Sequence, residues 1–195
     1  MDGDAQAHIE LPLPNVKGGK PLMEALALRC SSREFSPRPL PEQVLSDLLW
    51  AADGINRRST GGRTAPSARN WQEITVYAAL REGLFRFDPV QHRLDRVLAR
   101  DLRALTGEQE FVARAPVNLV YVADLDRIGD TDVDERRFYT AADAGFIAQN
   151  VYLYCASEGL ATVVRGLISR ERFARAIPLG PRQRVLLAQT VGYPA

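Results

Sequence analysis

One long helical pattern runs from about Glu135 to Glu158 and ends at Gly159. Glycine commonly ends a helix because it adopts left-handed backbone angles at little steric cost. The pattern is rich in small side chains, which allow a second helix to approach closely: Ala141, Ala142, Ala144, Gly145 and Ala148. The segment is either a central core helix or a helix that packs against a partner, and both interpretations stay open at this point.

Shorter elements surround this helix. Helical spacing predicts helices over 21–28, 41–52, 101–113 and 170–177. The basic, glycine-containing segment 56–63 is predicted to be a flexible loop. A β-meander is predicted over 73–80, 84–88 and 92–97, followed by an apolar interior strand at 117–122. Two further strands, 162–164 and 184–191, complete the pattern. The length of 195 residues suits one domain over 21–195, preceded by an arm over 1–20.

Composition and missing motifs exclude several classes of function. The 25 basic and 24 acidic residues nearly cancel, which argues against bulk electrostatic binding of nucleic acid. The chain has two histidines, His8 and His92, too few for a recognisable hydrolase triad or zinc site. It has neither a P-loop nor a G-x-G-x-x-G run, and the acidic stretch 124–134 lacks calcium-loop spacing. No metal site is expected, and a cofactor is expected to supply the chemistry of any reaction.

Two short polar segments carry groups suited to a planar cofactor that bears a phosphate. The first, Arg29-Cys30-Ser31-Ser32-Arg33-Glu34-Phe35, offers two guanidinium groups, whose forked donors match phosphate oxygens. The second, Thr64-Ala65-Pro66-Ser67-Ala68-Arg69-Asn70-Trp71-Gln72, offers hydroxyl and carboxamide groups for a heterocyclic edge. Cys30 and Cys155 have no metal-ligand spacing, and we expect both to be packing residues.

With two more motifs, these segments resemble the nitroreductase family, and most closely its SagB-type branch of thiazoline and oxazoline dehydrogenases. The stretch 143–153 is similar to the central-helix signature of the family, and 159–166 is similar to its following strand and flavin-contacting loop. The closing Val191-Gly192-Tyr193-Pro194 is also similar. The resemblance implies an α+β nitroreductase-like fold: a central, mostly antiparallel sheet flanked by helices, and a dimer with a long central helix.

The resemblance also implies FMN at the subunit interface of a homodimer. The residues expected to bind FMN are Arg29, Cys30, Ser31, Arg33, Pro66, Ser67, Ala68, Asn70, Gln72, Arg165 and Gly166. Pro66, Ser67, Ala68 and Asn70 would reach the ring from the neighbouring subunit, whereas Gln72 either joins them or only braces the loop. Arg165 would stabilise negative charge on the reduced ring. The chain stops at Ala195, short of a basic segment found in many members, so either Arg29 and Arg33 suffice for the phosphate or another arginine such as Arg63 or Arg69 contributes.

The expected activity is hydride transfer from NAD(P)H, through N5 of the flavin, to an electron-poor acceptor such as a nitroaromatic or a quinone. One alternative is a SagB-type dehydrogenase that oxidises an azoline or another heterocycle. The resemblance implies that such an enzyme uses a Lys or a Tyr as its base. No Lys follows Lys20 here, so the candidate bases are four tyrosines: Tyr121, Tyr139, Tyr152 and Tyr154. Another alternative is a flavin-binding module with little turnover.

The N-terminus decides the expected compartment. Residues 1–16 lack the charged start and apolar core of a signal peptide, and no membrane-spanning run occurs, which predicts a cytoplasmic protein. However, Ala5-Gln6-Ala7 resembles the end of a signal-peptidase site. A periplasmic protein from which an export signal has been removed before Ala7 is therefore the alternative.

Overall fold

The computed structural model describes residues 7–195. The helices are α1 (Leu22–Leu28), α2 (Glu42–Asp53), α3 (Phe111–Arg114), α4 (Val133–Glu158) and α5 (Arg170–Ala176). The strands are β1 (His8–Glu10), β2 (Ile55–Arg57), β3 (Gly62–Arg63), β4 (Ile74–Leu80), β5 (Gly83–Asp88), β6 (Arg93–Leu98), β7 (Val117–Asp124), β8 (Ala161–Arg165) and β9 (Gln183–Gly192).

Seven strands form one sheet in the order β1-β6-β5-β4-β7-β9-β8, and every neighbouring pair is antiparallel. The strands β2 and β3 form a separate hairpin. The predicted α+β class, with a large antiparallel sheet flanked by helices, is therefore confirmed. The three strands of the meander are confirmed as β4, β5 and β6, each within one residue of its expected bounds.

The interior strand β7 has helices over both of its faces. Leu119 and Tyr121 lie in the core under α2 and α4, whereas Val120 and Val122 lie in the core beneath α5. Successive side chains of a strand point to opposite faces, so a strand covered on both sides is apolar almost throughout. Each fully buried aliphatic side chain contributes about 1.5–3 kcal/mol to folding. The predicted interior strand is confirmed.

The long helix α4 packs on one face of the sheet and has well-formed ends. The Asp132 side chain caps its start, accepting hydrogen bonds from the backbone N–H groups of Asp134 and Glu135 at 2.9 and 2.8 Å. Such a cap satisfies donors that the first turn leaves free. At the other end Gly159 adopts a left-handed φ of 69°, as the sequence predicts. The predicted helix is confirmed and begins two residues earlier than expected.

Two segments differ from their predictions. The single helix predicted over 101–113 is wrong: a 3-10 turn at Arg103–Leu105 is followed only by the short α3. The Thr106 carbonyl oxygen accepts a hydrogen bond from Nη1 of Arg165 at 2.9 Å, and Gly107 leaves room for that guanidinium. The Thr106 carbonyl oxygen, which would accept a backbone N–H in a continuous helix, therefore binds a side chain that is distant in sequence. The region predicted as a flexible loop over 56–63 contains most of the β2–β3 hairpin.

The described part of the N-terminal arm joins the sheet. The strand β1 pairs with β6 and adds an edge strand that the sequence did not predict. Ala5 and Gln6, from the segment that resembles a signal-peptidase site, lie outside the described residues. Within residues 7–195, no helix combines the length and the apolar character needed to cross a membrane.

Gly83 forms the tight turn between β4 and β5 and tolerates no side chain. Its φ is 150°, and a Cβ there would collide with the carbonyl oxygen of Leu98. We expect Gly83→Ala to lower the free energy of unfolding by about 2–4 kcal/mol, through backbone strain and overpacking. Urea denaturation followed by circular dichroism measures the change.

The control is Gly180→Ala, because a Cβ at Gly180 meets only ordinary contacts with the Gln183 side chain. That variant should change stability by less than about 0.5 kcal/mol. Equal losses in the two variants would contradict the assignment of strain to Gly83.

Candidate functional site

The loop after α1, residues 29–33 and hereafter the arginine loop, lies along the free edge of β8. The backbone N–H of Ser32 donates a hydrogen bond to the carbonyl oxygen of Thr162 at 3.0 Å. Within residues 7–195, β8 is the last strand on its side of the sheet. The arginine loop therefore takes up backbone hydrogen-bonding capacity that a further strand would otherwise use.

Tyr152 of α4 connects the arginine loop to β8. Its hydroxyl oxygen lies 2.8 Å from Oγ of Ser31 and accepts a hydrogen bond from the Val164 N–H at 3.0 Å. Its ring centroid lies 5.3 Å from the guanidinium carbon of Arg29. The sequence analysis named Tyr152 only as a candidate base and missed this organising role. The single sequence signal for it is its position in the central-helix motif.

The arginine loop carries positive charge without matching negative charge. Arg29 is half-buried and Arg33 is exposed, and neither forms an ion pair with a carboxylate of residues 7–195. Paired guanidinium groups of this kind favour the binding of a phosphate. Cys30 between them is exposed, so its expected packing role is wrong. Cys155, in contrast, is fully buried as predicted.

A backbone donor without a protein partner lies on the same edge. The Val164 N–H points away from β9, towards Tyr152, and every second residue of a strand faces the same edge. The Gly166 N–H follows two residues later. This N–H has no hydrogen-bond acceptor among residues 7–195, and Gly166 is exposed. The edge therefore offers a hydrogen bond to a ligand close to the arginine loop.

The side chain of Arg165 lies inside the protein, behind this edge. Its Nη1 donates to the Thr106 carbonyl oxygen at 2.9 Å, and its Nη2 donates to Asn118 Oδ1 at 3.1 Å and to Thr190 Oγ1 at 2.9 Å. The residue is 4% exposed, and burial lowers the pKa of its guanidinium to about 10. It therefore stays charged at neutral pH. Direct contact of this guanidinium with a cofactor is not available, which corrects the expected binding role of the Arg165 side chain.

The second segment, residues 64–72 and hereafter the proline–serine loop, is anchored by buried carboxyl groups. The Ala68 N–H donates to Oδ2 of Asp143 at 2.8 Å. The Ser67 hydroxyl donates to Oε2 of Glu73 at 3.2 Å and accepts a hydrogen bond from the Gln72 N–H at 2.8 Å. The Pro66 ring is exposed, and Ser67 and Ala68 are half-buried. The loop thus presents Pro66 outward while its backbone is held from below.

The proline–serine loop contains backbone strain. Arg69, Asn70 and Gln72 have φ values of 50°, 56° and 50°. Side chains other than glycine disfavour this left-handed region, at a cost of order 1–3 kcal/mol each. Such a conformation persists only where neighbouring contacts hold it, here the hydrogen bonds to Asp143 and Glu73.

Gln72 uses its side chain within the protein. Its Nε2 donates to the Gly61 carbonyl oxygen at 3.1 Å and to Asn70 Oδ1 at 3.0 Å, while its Oε1 accepts from Arg63 Nε at 3.2 Å. These contacts match the bracing alternative for Gln72. Asn70 is exposed, and its amide nitrogen has no hydrogen-bond partner among residues 7–195, so this donor is available to a ligand.

Neither additional arginine joins the arginine loop. Arg63 Nη1 pairs with Oδ2 of Asp53 at 2.7 Å, and its side chain is 11% exposed. Arg69 lies on the proline–serine loop, stacked over Trp71 and 3.7 Å from Glu135. Within one chain neither arginine adds to the phosphate site, because each is held at another position by its own partners, and the alternative that Arg29 and Arg33 suffice is the one that remains.

Three carboxyl groups lie buried beneath the proline–serine loop. Asp53 is 8% exposed, Glu73 is fully buried and Asp143 is 2% exposed. Burial raises the pKa of Asp53 to about 7, although the nearby Arg63 opposes the rise. Burial also raises the pKa of Glu73 to about 7, and the negative charge of Asp143 adds to the rise. The sequence analysis missed this cluster, because its members are distant in sequence and Asp143 entered only as part of a helix motif.

The two loops lie on opposite flanks of α4. Asp143 anchors the proline–serine loop, whereas Tyr152 anchors the arginine loop. Residues 143 and 152 of a helix are separated by about 13 Å along the axis and by about half a turn around it. Within one chain, the two loops therefore do not form one continuous site, and we refer to each of them as a candidate half-site.

An exposed apolar surface lies between these half-sites. Phe138 and Phe146 of α4 are 68% and 46% exposed, and the small residues Ala141 and Gly145 between them are also exposed. On the neighbouring α1, Met23 is 75% exposed. Contiguous exposed apolar side chains mark interaction surfaces, and small residues allow a second helix to come close. We call this surface the α1–α4 face.

The Asp53–Arg63 pair provides a test of the buried charges. We expect Arg63→Met to lower the free energy of unfolding by about 3–5 kcal/mol at pH 8, because the Asp53 carboxylate loses its partner. The pKa of Asp53 is about 7 with Arg63 present and rises further without it. A raised carboxyl pKa gives stability that is lost as pH rises. At pH 6 Asp53 is protonated and needs no cationic partner, so Arg63→Met should lower the free energy of unfolding less at pH 6 than at pH 8.

Urea denaturation at pH 6 and pH 8 measures both effects. Arg69→Met is the control, because Arg69 is exposed, and it should change stability by less than about 0.5 kcal/mol. A loss for Arg63→Met that is the same at both pH values would contradict the role assigned to Asp53.

Comparison with known proteins gives consistent matches. A family model described as the nitroreductase family matches residues 26–193. A candidate nitroreductase of Methanocaldococcus jannaschii is 33% identical over 168 residues, which cover 81% of this chain and 84% of that protein. The crystal structure of a candidate nitroreductase from Ralstonia eutropha JMP134 has a TM-score of 0.94 and 48% identity, covering 99% of this chain and 92% of that chain.

A more distant structural relative contains the expected cofactor. It is a candidate nitroreductase from Desulfovibrio desulfuricans in complex with FMN, with a TM-score of 0.65 and 21% identity, covering 90% of this chain and 87% of that one. At this identity the likeness concerns the fold. The family match, which covers most of the chain, and the likeness to the R. eutropha protein establish that the chain belongs to the nitroreductase family of oxidoreductases.

Proposed function

We propose that this chain is an FMN-dependent oxidoreductase, active as a homodimer, that passes electrons from NAD(P)H to an electron-poor acceptor such as a nitroaromatic or a quinone. The observation that carries the proposal is the edge of β8. Two guanidinium groups lie there near a backbone N–H, and within the described part of the chain the former have no carboxylate partner and the latter has no acceptor. FMN carries both a phosphate and a ring with hydrogen-bond acceptors. Family membership and the FMN complex of the D. desulfuricans protein support the same cofactor.

The arginine loop and the end of β8 form the first part of the proposed site. Arg29 and Arg33 would hold the phosphate, and Ser31, fixed by Tyr152, would add a hydroxyl group. The Gly166 N–H would donate to N5 of the ring, and the missing side chain permits the close approach. When bound, FMN supplies hydride transfer at N5. The residues of this chain bind the cofactor and orient it.

Arg165 would act on the ring through its charge. Its guanidinium is buried among the neutral acceptors of Thr106, Asn118 and Thr190 and has no carboxylate partner among residues 7–195, so its positive charge is little screened there. A fixed positive charge behind the Gly166 N–H favours negative charge on the ring side of β8. This long-range effect replaces the direct contact that the sequence suggested.

The second part of the proposed site comes from another copy of the chain. Pro66, Ala68 and Asn70 lie on the opposite flank of α4 from the arginine loop, so one chain does not place them over the same ring. Two copies that pack through their α1–α4 faces would bring the proline–serine loop of each to the arginine loop of the other. The exposed Phe138 and Phe146 would become buried in this dimer.

The first experiment measures FMN in the purified protein by its visible absorption and by chromatography of the released chromophore. We expect about one FMN per chain. Arg29→Ala/Arg33→Ala should weaken FMN binding by roughly 100-fold or more, because two charge-assisted interactions are lost. Arg58→Ala/Arg100→Ala removes the same charge from exposed positions elsewhere and should bind FMN normally.

Mixed dimers test whether each site needs two chains. Asn70→Gly preserves the left-handed backbone and removes the exposed carboxamide, so it should weaken binding by about tenfold. A dimer that combines Arg29→Ala/Arg33→Ala in one chain with Asn70→Gly in the other should regain one site of normal affinity. If the two loops of each site came from the same chain, both sites of this mixed dimer would bind FMN weakly. A protein that is colourless and does not take up added FMN would contradict the whole proposal.

Reduction kinetics identify the electron donor and separate the proposed activity from its alternatives. We expect NADH or NADPH to bleach the flavin absorption, and steady-state rates with a quinone to give the parallel lines of a ping-pong mechanism. Reduction by neither nicotinamide would exclude the proposed donor. Bound FMN with no turnover towards any donor or acceptor would instead favour a flavin-binding module.

The SagB-type alternative has one supporting observation. Of the four candidate tyrosines, Tyr152 is the one whose hydroxyl lies at the arginine loop, 2.8 Å from Ser31. Tyr121 is sealed in the core with its hydroxyl bonded to Gln189, so it is not an accessible base. Flavin reduction by an azoline substrate, lost in Tyr152→Phe while FMN remains bound, would favour this alternative. Azoline oxidation that persists in Tyr152→Phe would contradict a Tyr152 base.

A further inference from the structure

The buried Glu73 carboxyl group has one oxygen without a hydrogen-bond donor. Its Oε2 accepts from the Ser67 hydroxyl at 3.2 Å, but its Oε1 has no donor within residues 7–195. Glu73 is fully buried, and the Asp143 carboxyl group lies at the same small cavity, where the consecutive residues Ser67 and Ala68 bind Glu73 and Asp143 respectively. A buried carboxylate oxygen without a donor is costly, whereas a carboxylic acid O–H facing Asp143 would satisfy both groups.

Among residues 7–195, no cation is paired with Glu73 or Asp143. On one side, Arg63 of β3 is committed to Asp53 at the end of α2, at 2.7 Å. On another, Arg127 after β7 is about half exposed and donates to the Gln72 carbonyl oxygen at 2.9 Å. The remaining neighbour is Asp143 on α4, which carries the same sign of charge as ionised Glu73. Two adjacent buried carboxyl groups in such surroundings do not both ionise readily, and one proton between them removes the repulsion.

We propose that Glu73 is a carboxylic acid whose O–H donates to Asp143, and that this single proton holds the proline–serine loop in the conformation that binds the flavin ring. The hydrogen bonds then form a closed set. The Gln72 N–H donates to Ser67 Oγ, the Ser67 hydroxyl to Glu73 Oε2, Glu73 to Asp143, and the Ala68 N–H to Asp143 Oδ2. Glu73 and Asp143 are thus positioning residues. The part that concerns the ring rests on the proposed function.

The strained backbone makes the loop sensitive to this proton. Arg69, Asn70 and Gln72 keep left-handed angles only while the loop is anchored at Ala68 and Ser67. Burial, aided by the charge of Asp143, raises the pKa of Glu73 to about 7. The proton is therefore present below pH 7 and lost above it. Because a raised carboxyl pKa stabilises the protonated form, loop order and ring binding should both decrease as pH rises through this range.

Infrared spectroscopy of the FMN-free protein tests the proton directly. At pH 6 we expect carbonyl stretches of buried carboxylic acids that disappear with a midpoint near pH 7, and Glu73→Gln should remove the Glu73 contribution while the Asp53 contribution remains. Asp53 titrates in the same range, so Asp53→Asn assigns the band: it should leave the Glu73 signal in place. Absence of any carboxylic acid band at pH 6, or a carboxylic acid absorption that Glu73→Gln leaves unchanged, would overturn the proposal.

The pH dependence of FMN affinity, measured by fluorescence quenching, tests the consequence. Above pH 7 the dissociation constant should rise by up to about tenfold per pH unit in the unmodified protein, since one proton is linked to binding. Glu73→Gln keeps an N–H donor towards Asp143 and an acceptor for Ser67. Its affinity should therefore stay near the pH 6 value of the unmodified protein across the whole range. Glu73→Ala lacks both groups and should bind weakly at every pH.

The outcomes separate this inference from the proposed function. Weak binding by Glu73→Gln at pH 6 would show that Glu73 acts as an ionised acceptor, and an unchanged pH dependence in that variant would assign the titration to another group. Either result would overturn the inference. Normal FMN binding without the carboxylic acid band would overturn the inference and leave the proposed function standing. A titrating Glu73 band in a protein that does not bind FMN would support the proton on Glu73 and contradict the proposed function.

Discussion

The packing of α4 on the antiparallel sheet is the constraint on which the rest of the structure depends. Its buried face fills the main core, and its two flanks hold the functional loops. Asp143 accepts the Ala68 N–H on one flank, and the Tyr152 hydroxyl contacts Ser31 and Val164 on the other. Because one rigid helix carries both anchors, the half-sites keep a constant separation. The exposed apolar side of the same helix is the surface through which we propose that two copies pack, so one element connects the fold, the loops and the proposed dimer.

Within residues 7–195, each half-site contains ionisable groups that lack a nearby partner of opposite charge. These groups are arginines at the first half-site and carboxyl groups at the second. Behind β8, the Arg165 guanidinium is buried among neutral acceptors, and the arginine loop adds two more cations. Beneath the proline–serine loop, Glu73 and Asp143 share a site with no cation of their own. Burying such groups destabilises a fold unless something compensates. At the first half-site an anionic ligand would compensate, and at the second a proton would, which is why we connect these costly features with function.

Local patterns predicted regular elements well and irregular ones poorly. The meander, the interior strand β7, and α4 with its stop at Gly159 all follow from hydrophobic spacing and end signals, which act over a few residues. The predicted helix over 101–113 failed because Arg165, distant in sequence, takes the Thr106 carbonyl oxygen. Cys30 was expected to pack but is exposed, and Arg63 was a candidate for the phosphate site but pairs with Asp53. Each of these errors concerns a partner that no local pattern can identify.

The sequence by itself determined the α+β class, the family, and the two loops that carry the arginines and the Pro66–Ser67 turn, because these depend on short motifs and their order. Only the tertiary structure decided how those motifs are used. It placed the loops on opposite flanks of α4, turned the Arg165 side chain inward, and brought Glu73 against Asp143. The physical reason is that charge pairing, burial and hydrogen-bond satisfaction depend on distances in space, and these are set only when the helix and the sheet pack together.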